Sequence, residues 1–218
     1  MVRSCSGIIT DWGGVLTTPL PETITAWLEA DGIDHGVYRD VMRTWVRAAY
    51  DGGALNPIHA LERGEVETRE FERLLAAELR LADGGPVPAE GLITRMFSGF
   101  LPIEEMYAAL REARGQGVRT CLLSNSWGNG YPRDRFSETF DGVVISGEVG
   151  MRKPEPEIFL HALELVGLEA RDCVFVDDIE HNVAAATELG MVGILHRDPT
   201  ETRIRLEEAC GIRLTALL

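Results

Sequence analysis

Lysine is all but missing from this chain, in which twenty arginines accompany a single lysine, Lys153. A genome that favours GC-rich codons accounts for such a depletion, and it leaves the survivor as the residue to explain. A guanidinium is a planar fork suited to bidentate clamping, whereas a compact ammonium can sit as a point charge between a carboxylate and an anionic oxygen. Positive charge is scarce overall, with a net charge of -14. That balance argues against nucleic acid as a partner, because phosphate backbones are bound by basic surfaces, and it requires any anionic substrate to be held by a local cationic patch. Long apolar runs are missing too. None approaches the roughly 18 residues that span a bilayer, and the N-terminus lacks the basic start and apolar core of a signal peptide, so no membrane partner and a cytoplasmic location are expected. Paired cysteines are absent: Cys5, Cys121, Cys173 and Cys210 lie far apart, which disfavours a zinc site or redox dithiol and reads as buried, reduced thiols. There is no internal repeat and no low-complexity segment.

What is present suffices for a substantial core. The chain has 218 residues, 45% hydrophobic and 26% charged, enough for one domain with a modest insertion. Short, nearly wholly apolar runs at 7–10, 118–124, 143–146, 173–176 and 192–196 predict parallel strands covered on both faces. Helical stretches separate them. Residues 104–114 carry Met106, Ala109, Leu110 and Ala113 at helical spacing and stop at Gly115 and Gly117. Residues 154–166 place Ile158, Phe159, Ala162, Leu163 and Val166 on one stripe, with proline near the start. Residues 181–189 are alanine-rich and close at Gly190. Alternating strand and helix predicts βαβ units with right-handed crossovers in an open, doubly wound α/β sheet.

About ninety residues with little strand character separate the first two strands, too many for an ordinary βα connection. They read as helices at 22–30, 37–50, 57–63, 68–81 and 89–97, punctuated by glycines. A helical bundle over 18–98, inserted between 1–17 and 99–218, is the economical arrangement.

In open α/β sheets the ligand crevice lies beyond the carboxyl ends of the strands. Asp11, Ser124 and the pair Asp177-Asp178 all fall at that end of their strands, and Lys153 follows another. Serine and aspartate favour strand ends as turn formers and caps, but three such groups at one topological point, together with the lone lysine, suggest a phosphoryl-transfer site.

Here the chain resembles the haloacid dehalogenase superfamily, and the resemblance covers essentially its whole length. Asp11-Trp12-Gly13-Gly14-Val15-Leu16 is similar to the first motif, with Asp11 at the nucleophile, and Leu122-Leu123-Ser124-Asn125-Ser126 to the second. Arg152-Lys153-Pro154-Glu155-Pro156-Glu157-Ile158-Phe159 is similar to the third, and Val174-Phe175-Val176-Asp177-Asp178-Ile179-Glu180-His181-Asn182 to the acidic fourth. The helical insertion resembles the family's C1-type cap, as does the segment 63–71. The nearest subgroup includes the N-terminal phosphatase domain of soluble epoxide hydrolases. The resemblance implies a Rossmann-like core and a small phosphorylated substrate. It also implies an Mg²⁺ cofactor held by Asp11, the Gly13 carbonyl and an acid of the fourth motif. Asp178 is taken as that ligand first, with Asp177 as a second ligand or water holder. Asp11 would attack phosphorus to give an aspartyl phosphate. Ser124 and the main-chain amide of Asn125 would bind phosphoryl oxygens, while Lys153 would keep Asp11 ionised and offset phosphoryl charge.

Gly13 departs from that pattern. Most phosphatases of the superfamily carry a second aspartate there, which protonates the leaving group and then activates water, a contribution of roughly 10² to 10⁴ in rate. A tight turn through Gly13-Gly14 would itself call for glycine. Three explanations compete: a substrate whose leaving group needs no proton, such as an acyl phosphate; a substitute acid, with His35, His59, Glu65 and Asp51 as nominal candidates; or a protein that binds a phosphorylated ligand in a regulatory role without turnover. Phosphonoacetaldehyde hydrolases resemble the Asp11-Trp12 pair, but they use a cap lysine, and no lysine precedes Lys153. The 2-haloacid dehalogenases place tyrosine at the Gly13 position and lack the acidic pair, which would here face a carboxylate substrate.

Of the remaining residues, Trp12 is expected at the crevice floor or against the cap, in reach of substrate, and Trp45 in the cap core. Arg43 and Arg47 read as a solvated helix face. Arg133 or Arg135, in the loop after the second motif, could supply the cationic patch. Asn182 is expected to support the acidic pair.

Overall fold

The computed structural model describes residues 4–50, 56–128 and 130–215. Five strands, β1 (Gly7–Thr10), β2 (Arg119–Ser124), β3 (Gly142–Ile145), β4 (Cys173–Asp177) and β5 (Val192–Leu195), form one parallel sheet in the order β3-β2-β1-β4-β5. Its central strand is buried on both faces, and alternation along it assigns the layers. Ile8 points into a cluster with Leu122, Val174, Val176 and Ile194 under α6 (Glu104–Gly115) and α11 (Pro199–Cys210). Ile9 points the other way, toward Cys121, Leu123 and Phe175 under α9 (Pro156–Val166) and α10 (Glu180–Glu188). Two short helices, α7 (Phe136–Thr139) and α8 (Ser146–Val149), flank β3. The α/β class expected from the apolar runs is therefore present, with each strand within one or two residues of its expected limits.

Between β1 and α6 come five helices: α1 (Leu20–Asp31), α2 (His35–Tyr50), α3 (Pro57–Glu62), α4 (Thr68–Glu78) and α5 (Leu92–Phe97). They enclose a separate apolar cluster around Trp27, Leu28, Phe71, Leu75, Leu92 and Met96, with Trp45 packed against it. The chain enters and leaves them side by side: Thr17 bridges Pro102, Thr18 N donates to the Leu101 carbonyl at 2.9 Å, and Ile103 N donates to the Leu16 carbonyl at 2.9 Å.

Several expected boundaries move. The proline in the first turn of α9 is Pro156, not Pro154, which lies in the turn before it. Ser146 leaves the strand and opens α8. Helix α4 stops at Glu78, and the chain beyond it makes isolated bridges from Leu81 to Ile33 and from Arg80 to Pro86. Val46 of α2, although apolar, is exposed. Helix α11 escaped the periodicity argument because its apolar residues are scattered around it, with Ile204 exposed and Leu206 buried. Its ends are nonetheless marked in the sequence: Asp198 accepts from Glu201 N at 2.9 Å, Pro199 fills the first turn, and Gly211 closes the helix in the left-handed conformation.

Candidate active site

Register brings the acidic groups together. Thr10 of β1 lies beside Leu122 of β2 and Val176 of β4, so Asp11, Ser124 and Asp177 emerge at one edge. The chain crosses from β3 to β4 over the central strand, so the carboxyl ends of β1 and β4 flank the switch point where open sheets bind ligands. Lys153 occupies that point. Its Nζ is 2.9 Å from Asp11 Oδ1 and 2.7 Å from Asp177 Oδ2, with the side chain 1% exposed. The Asn125 side chain fixes the lysine's backbone, accepting from Lys153 N at 2.8 Å and donating to its carbonyl at 3.0 Å.

Asp177 is fully engaged. Besides Lys153 it accepts from Ile179 N at 2.8 Å and from Asn182 Nδ2 at 3.2 and 3.1 Å, so the contact expected of Asn182 is present. Asp178 instead lies over Gly14, where a built Cβ would stand 2.4 Å from Asp178 Oδ2. Carboxylate oxygens of Asp11, Asp177 and Asp178 lie within 4.8 Å of one another. Three carboxylates facing one ammonium leave two uncompensated negative charges. Burial and the Asp177 and Asp178 carboxylates push the Asp11 carboxyl up to about 7 despite Lys153. Burial and Asp177 push Asp178 up to about 6. Burial opposes the charge on Lys153, but Asp11 and Asp177 hold its ammonium above the usual lysine range.

Asp11, Lys153 and Asp178, with Asp177 buried behind them, floor a cavity of about 190 Å³ that also exposes Ser124, Asn125 and Asn182. Ser124 Oγ is 3.0 Å from the hydroxyl of Tyr131, which burial pushes up to about 12. Trp12 lines one wall, stacked on Phe100 with centroids 5.7 Å apart, while its Nε1 donates to the Tyr107 hydroxyl at 3.2 Å. The helices following β1 supply the far side with Leu20, Ile24, Tyr38, Met96 and Phe97. Glu62 of α3 also reaches the cavity, clasped by Arg152 Nε at 2.6 Å and Trp127 Nε1 at 3.1 Å.

The two glycines of the first loop differ. Gly14 has φ +74 and no room for a side chain, whereas Gly13 has ordinary backbone and a Cβ there would meet only Phe100 Cε1, at 3.7 Å. The turn thus demands glycine at position 14 and leaves position 13 free to carry a side chain, so of the two glycines only Gly14 is called for by the turn. Of the nominal substitute acids, His35, His59 and Glu65 do not line the cavity, and Asp51 lies outside the described residues. Arg133 pairs with Glu148, and Arg135 pairs with Glu104 at 2.6 Å and lies over the Tyr107 ring. Neither lines the cavity, so the expected cationic patch reduces to Lys153 among the described lining residues. Arg43 is exposed and pairs with Asp40; the side chain of Arg47 lies outside the described residues.

Sequence reasoning missed Tyr131, Phe100, Glu62 and Arg152. Arg152 stood beside the lone lysine, and Tyr131 lay in a loop already placed near the site. Phe100 and Glu62 carried no local signal.

A family model for haloacid dehalogenase-like hydrolases matches residues 5–190. The chain belongs to that family. Among relatives of this hydrolase, the sesquiterpene phosphatase astK of Aspergillus oryzae is 33% identical over 155 residues, 69% of this chain and 77% of the relative. The bifunctional epoxide hydrolase 2 of Rattus norvegicus is 29% identical over 173 residues, 71% of this chain but 31% of that longer protein. Among solved structures, the haloacid dehalogenase family enzyme bt-2542 of Bacteroides thetaiotaomicron superposes with a TM-score of 0.66 at 23% identity, covering 89% of this chain and 95% of the other. At that identity the likeness speaks for the fold. The same enzyme has also been solved with magnesium and inorganic phosphate. No helix among the described residues is long and apolar enough to cross a membrane.

Proposed function

We propose that this hydrolase is an Mg²⁺-dependent phosphatase of small phosphorylated metabolites in the cytoplasm, working through an aspartyl phosphate on Asp11. Residues 1–17 and 99–218 form its core and 18–98 its cap. The observation that carries the reading is the Lys153 ammonium shared between Asp11 and Asp177 on the floor of a cavity that also presents Ser124 and Asn125.

Asp11 is the nucleophile. Lys153 favours its ionised form against the burial that raises its pKa and screens the incoming phosphoryl charge. The Ser124 hydroxyl, oriented by Tyr131, and the Asn125 amide bind phosphoryl oxygens. The donor set fits a hard divalent cation: three clustered carboxylates carry two negative charges more than Lys153 neutralises, and magnesium takes oxygen ligands. Asp11, Asp178 and the Gly13 carbonyl would hold it, because Asp177 already has hydrogen-bond partners on both oxygens. The ion would supply Lewis-acid polarisation of the phosphoryl group. The phosphatase named among the relatives and the magnesium-phosphate complex of bt-2542 agree with this chemistry.

A panel of aryl, alkyl and acyl phosphates, assayed with and without Mg²⁺ and with Asp11→Asn as the blank, tests the reading. Turnover that needs both Asp11 and Mg²⁺ supports it. No Asp11-dependent turnover on any member refutes it and leaves a regulatory protein that binds phosphorylated ligands.

A further inference from the structure

Away from Asp11, Lys153 and Ser124 the cavity lining is mostly apolar, with Glu62 and Tyr38 as its polar members. Above Asp11 and Ser124 it is walled by Ile24, Met96, Phe97, Phe100, Trp12 and Trp127. The polar atoms near those walls are committed elsewhere. Trp12 Nε1 donates to Tyr107, and Trp127 Nε1 donates to Glu62, whose other oxygen is held by Arg152. The remaining titratable group on that side, Tyr38, is raised to about 12 by burial, so it holds its proton tightly. The space that a side chain at position 13 would enter faces the edge of Phe100, with no acid in it.

Resting on the phosphatase reading, we infer that the substrate is a phosphate monoester of a small, flat, apolar alcohol whose oxyanion is conjugated, a phenol or an enol, seated with its face along Trp12 and Phe100. Three features select that class. With no carboxyl or imidazole within 4 Å of a Cβ at position 13 to give the leaving oxygen a proton, charge developing there must be spread by the leaving group itself. Because no arginine among the described residues lines the cavity and Lys153 is shared between two carboxylates, a second phosphoryl group would meet no free counter-charge from those residues. A sugar or glycerol moiety would bury hydroxyls against these walls unpaired, at a cost of about tenfold in affinity for each. Size agrees: a dry cavity of about 150 Å³ holds benzene, and about 190 Å³ is available here.

In the reaction the Asp11 oxygen bonds to phosphorus as the ester P–O bond breaks, and the electron pair leaves on the conjugated oxygen, which takes its proton from solvent afterwards. Water then adds to phosphorus, the bond to Asp11 breaks to return the carboxylate, inorganic phosphate keeps one of the water's protons and the other passes to solvent, matching the proton the leaving oxygen took up.

The test compares ring-substituted phenyl phosphates, cyclohexyl phosphate and glycerol phosphate. It reads kcat/KM for the wild type and Gly13→Asp, and binding to Asp11→Asn by calorimetry. In the wild type, kcat/KM rises steeply as the phenol becomes more acidic. Cyclohexyl phosphate binds Asp11→Asn comparably to phenyl phosphate but turns over far more slowly, and glycerol phosphate binds most weakly. Gly13→Asp raises cyclohexyl turnover by about 10²-fold, the scale of a positioned acid, with little gain for the most acidic phenols. Phe100→Leu, which keeps the wall apolar, lowers kcat/KM for phenyl phosphate about tenfold and lowers that for glycerol phosphate less. Asp11-dependent turnover that favours glycerol phosphate, or that treats cyclohexyl and phenyl esters alike, overturns this inference while the phosphatase reading stands. No Asp11-dependent turnover on any ester overturns both.

Discussion

At the floor of the cavity Asp177 and Lys153 are each held by several partners. Asp177 receives Lys153, Asn182 and Ile179 N, and Lys153 is fixed through its ammonium by two carboxylates and through its backbone by Asn125. The walls above are held by rings and aliphatic carbons, with Trp12 on Phe100 and Phe100 in turn on Phe97, centroids 4.7 Å apart. A network of charges in a dry site is specific but fragile, because removing one member strands the others. A packed apolar wall tolerates substitution of similar volume. The floor is thus suited to one fixed chemistry, and substrate preference can change on the walls without disturbing it.

Lys153→Met breaks this contrast most severely. It leaves Asp11 and Asp177 buried without their cation, and the fold loses about 3–5 kcal/mol, read as a lower urea midpoint with turnover abolished. Lys153→Arg restores neither fully, since a planar guanidinium cannot occupy the place of a point charge between two carboxylates. Asp11→Asn, by contrast, removes turnover while relieving repulsion among three clustered acids, so its urea midpoint does not fall.

Polar contacts join α3 to the core: Glu62 is held by Arg152, the residue before Lys153, and by Trp127, and Arg63 pairs with Glu155. Glu62→Ala costs about 2–3 kcal/mol, the range for a hydrogen bond to a charged group together with its stranded partner. It also raises KM more than it lowers kcat, because α3 keeps only the Arg63 pair to the core while the floor stays intact. An unchanged KM and an unchanged midpoint would remove the joint from the account.

Smaller still is the difference between the two glycines. Gly14→Ala forces a left-handed residue to carry a Cβ at about 1–2 kcal/mol and displaces the Asp178 carboxylate, weakening magnesium binding measured by calorimetry. Gly13→Ala meets only Phe100 at contact distance and leaves both stability and metal affinity near the wild type. Equal losses in the two variants would contradict the geometry of the turn.

The floor was largely legible in the sequence because its residues sit at strand ends, where apolar runs terminate in charge, and because one lysine among twenty arginines stands out. The register of β1 with β2 and β4 then brings those ends together without further information. The walls were not legible in the same way. Phe100 and Glu62 come from the segments around the inserted helices and reach the cavity through packing that no local pattern encodes. Tyr131 and Arg152 lay beside residues already singled out, yet their partners, Ser124 and Glu62, are distant in the chain or set by a loop. Helix α11 was missed because caps marked its ends while no apolar stripe marked its body.

The smallest expected effect concerns charges that sequence reasoning placed near the substrate. Arg133 is exposed and pairs with Glu148 across the loop, away from the cavity. An exposed pair of this kind contributes about 0–1 kcal/mol and is screened by salt. Arg133→Ala therefore leaves kcat/KM unchanged at low and moderate ionic strength alike, and shifts the urea midpoint by an amount close to the error of measurement. A loss of kcat/KM that grows as salt is lowered would mean that Arg133 attracts the phosphorylated substrate. Lys153 would then not be the sole cation serving the site, and the exclusion of doubly phosphorylated substrates, which rests on that scarcity, would fall with it.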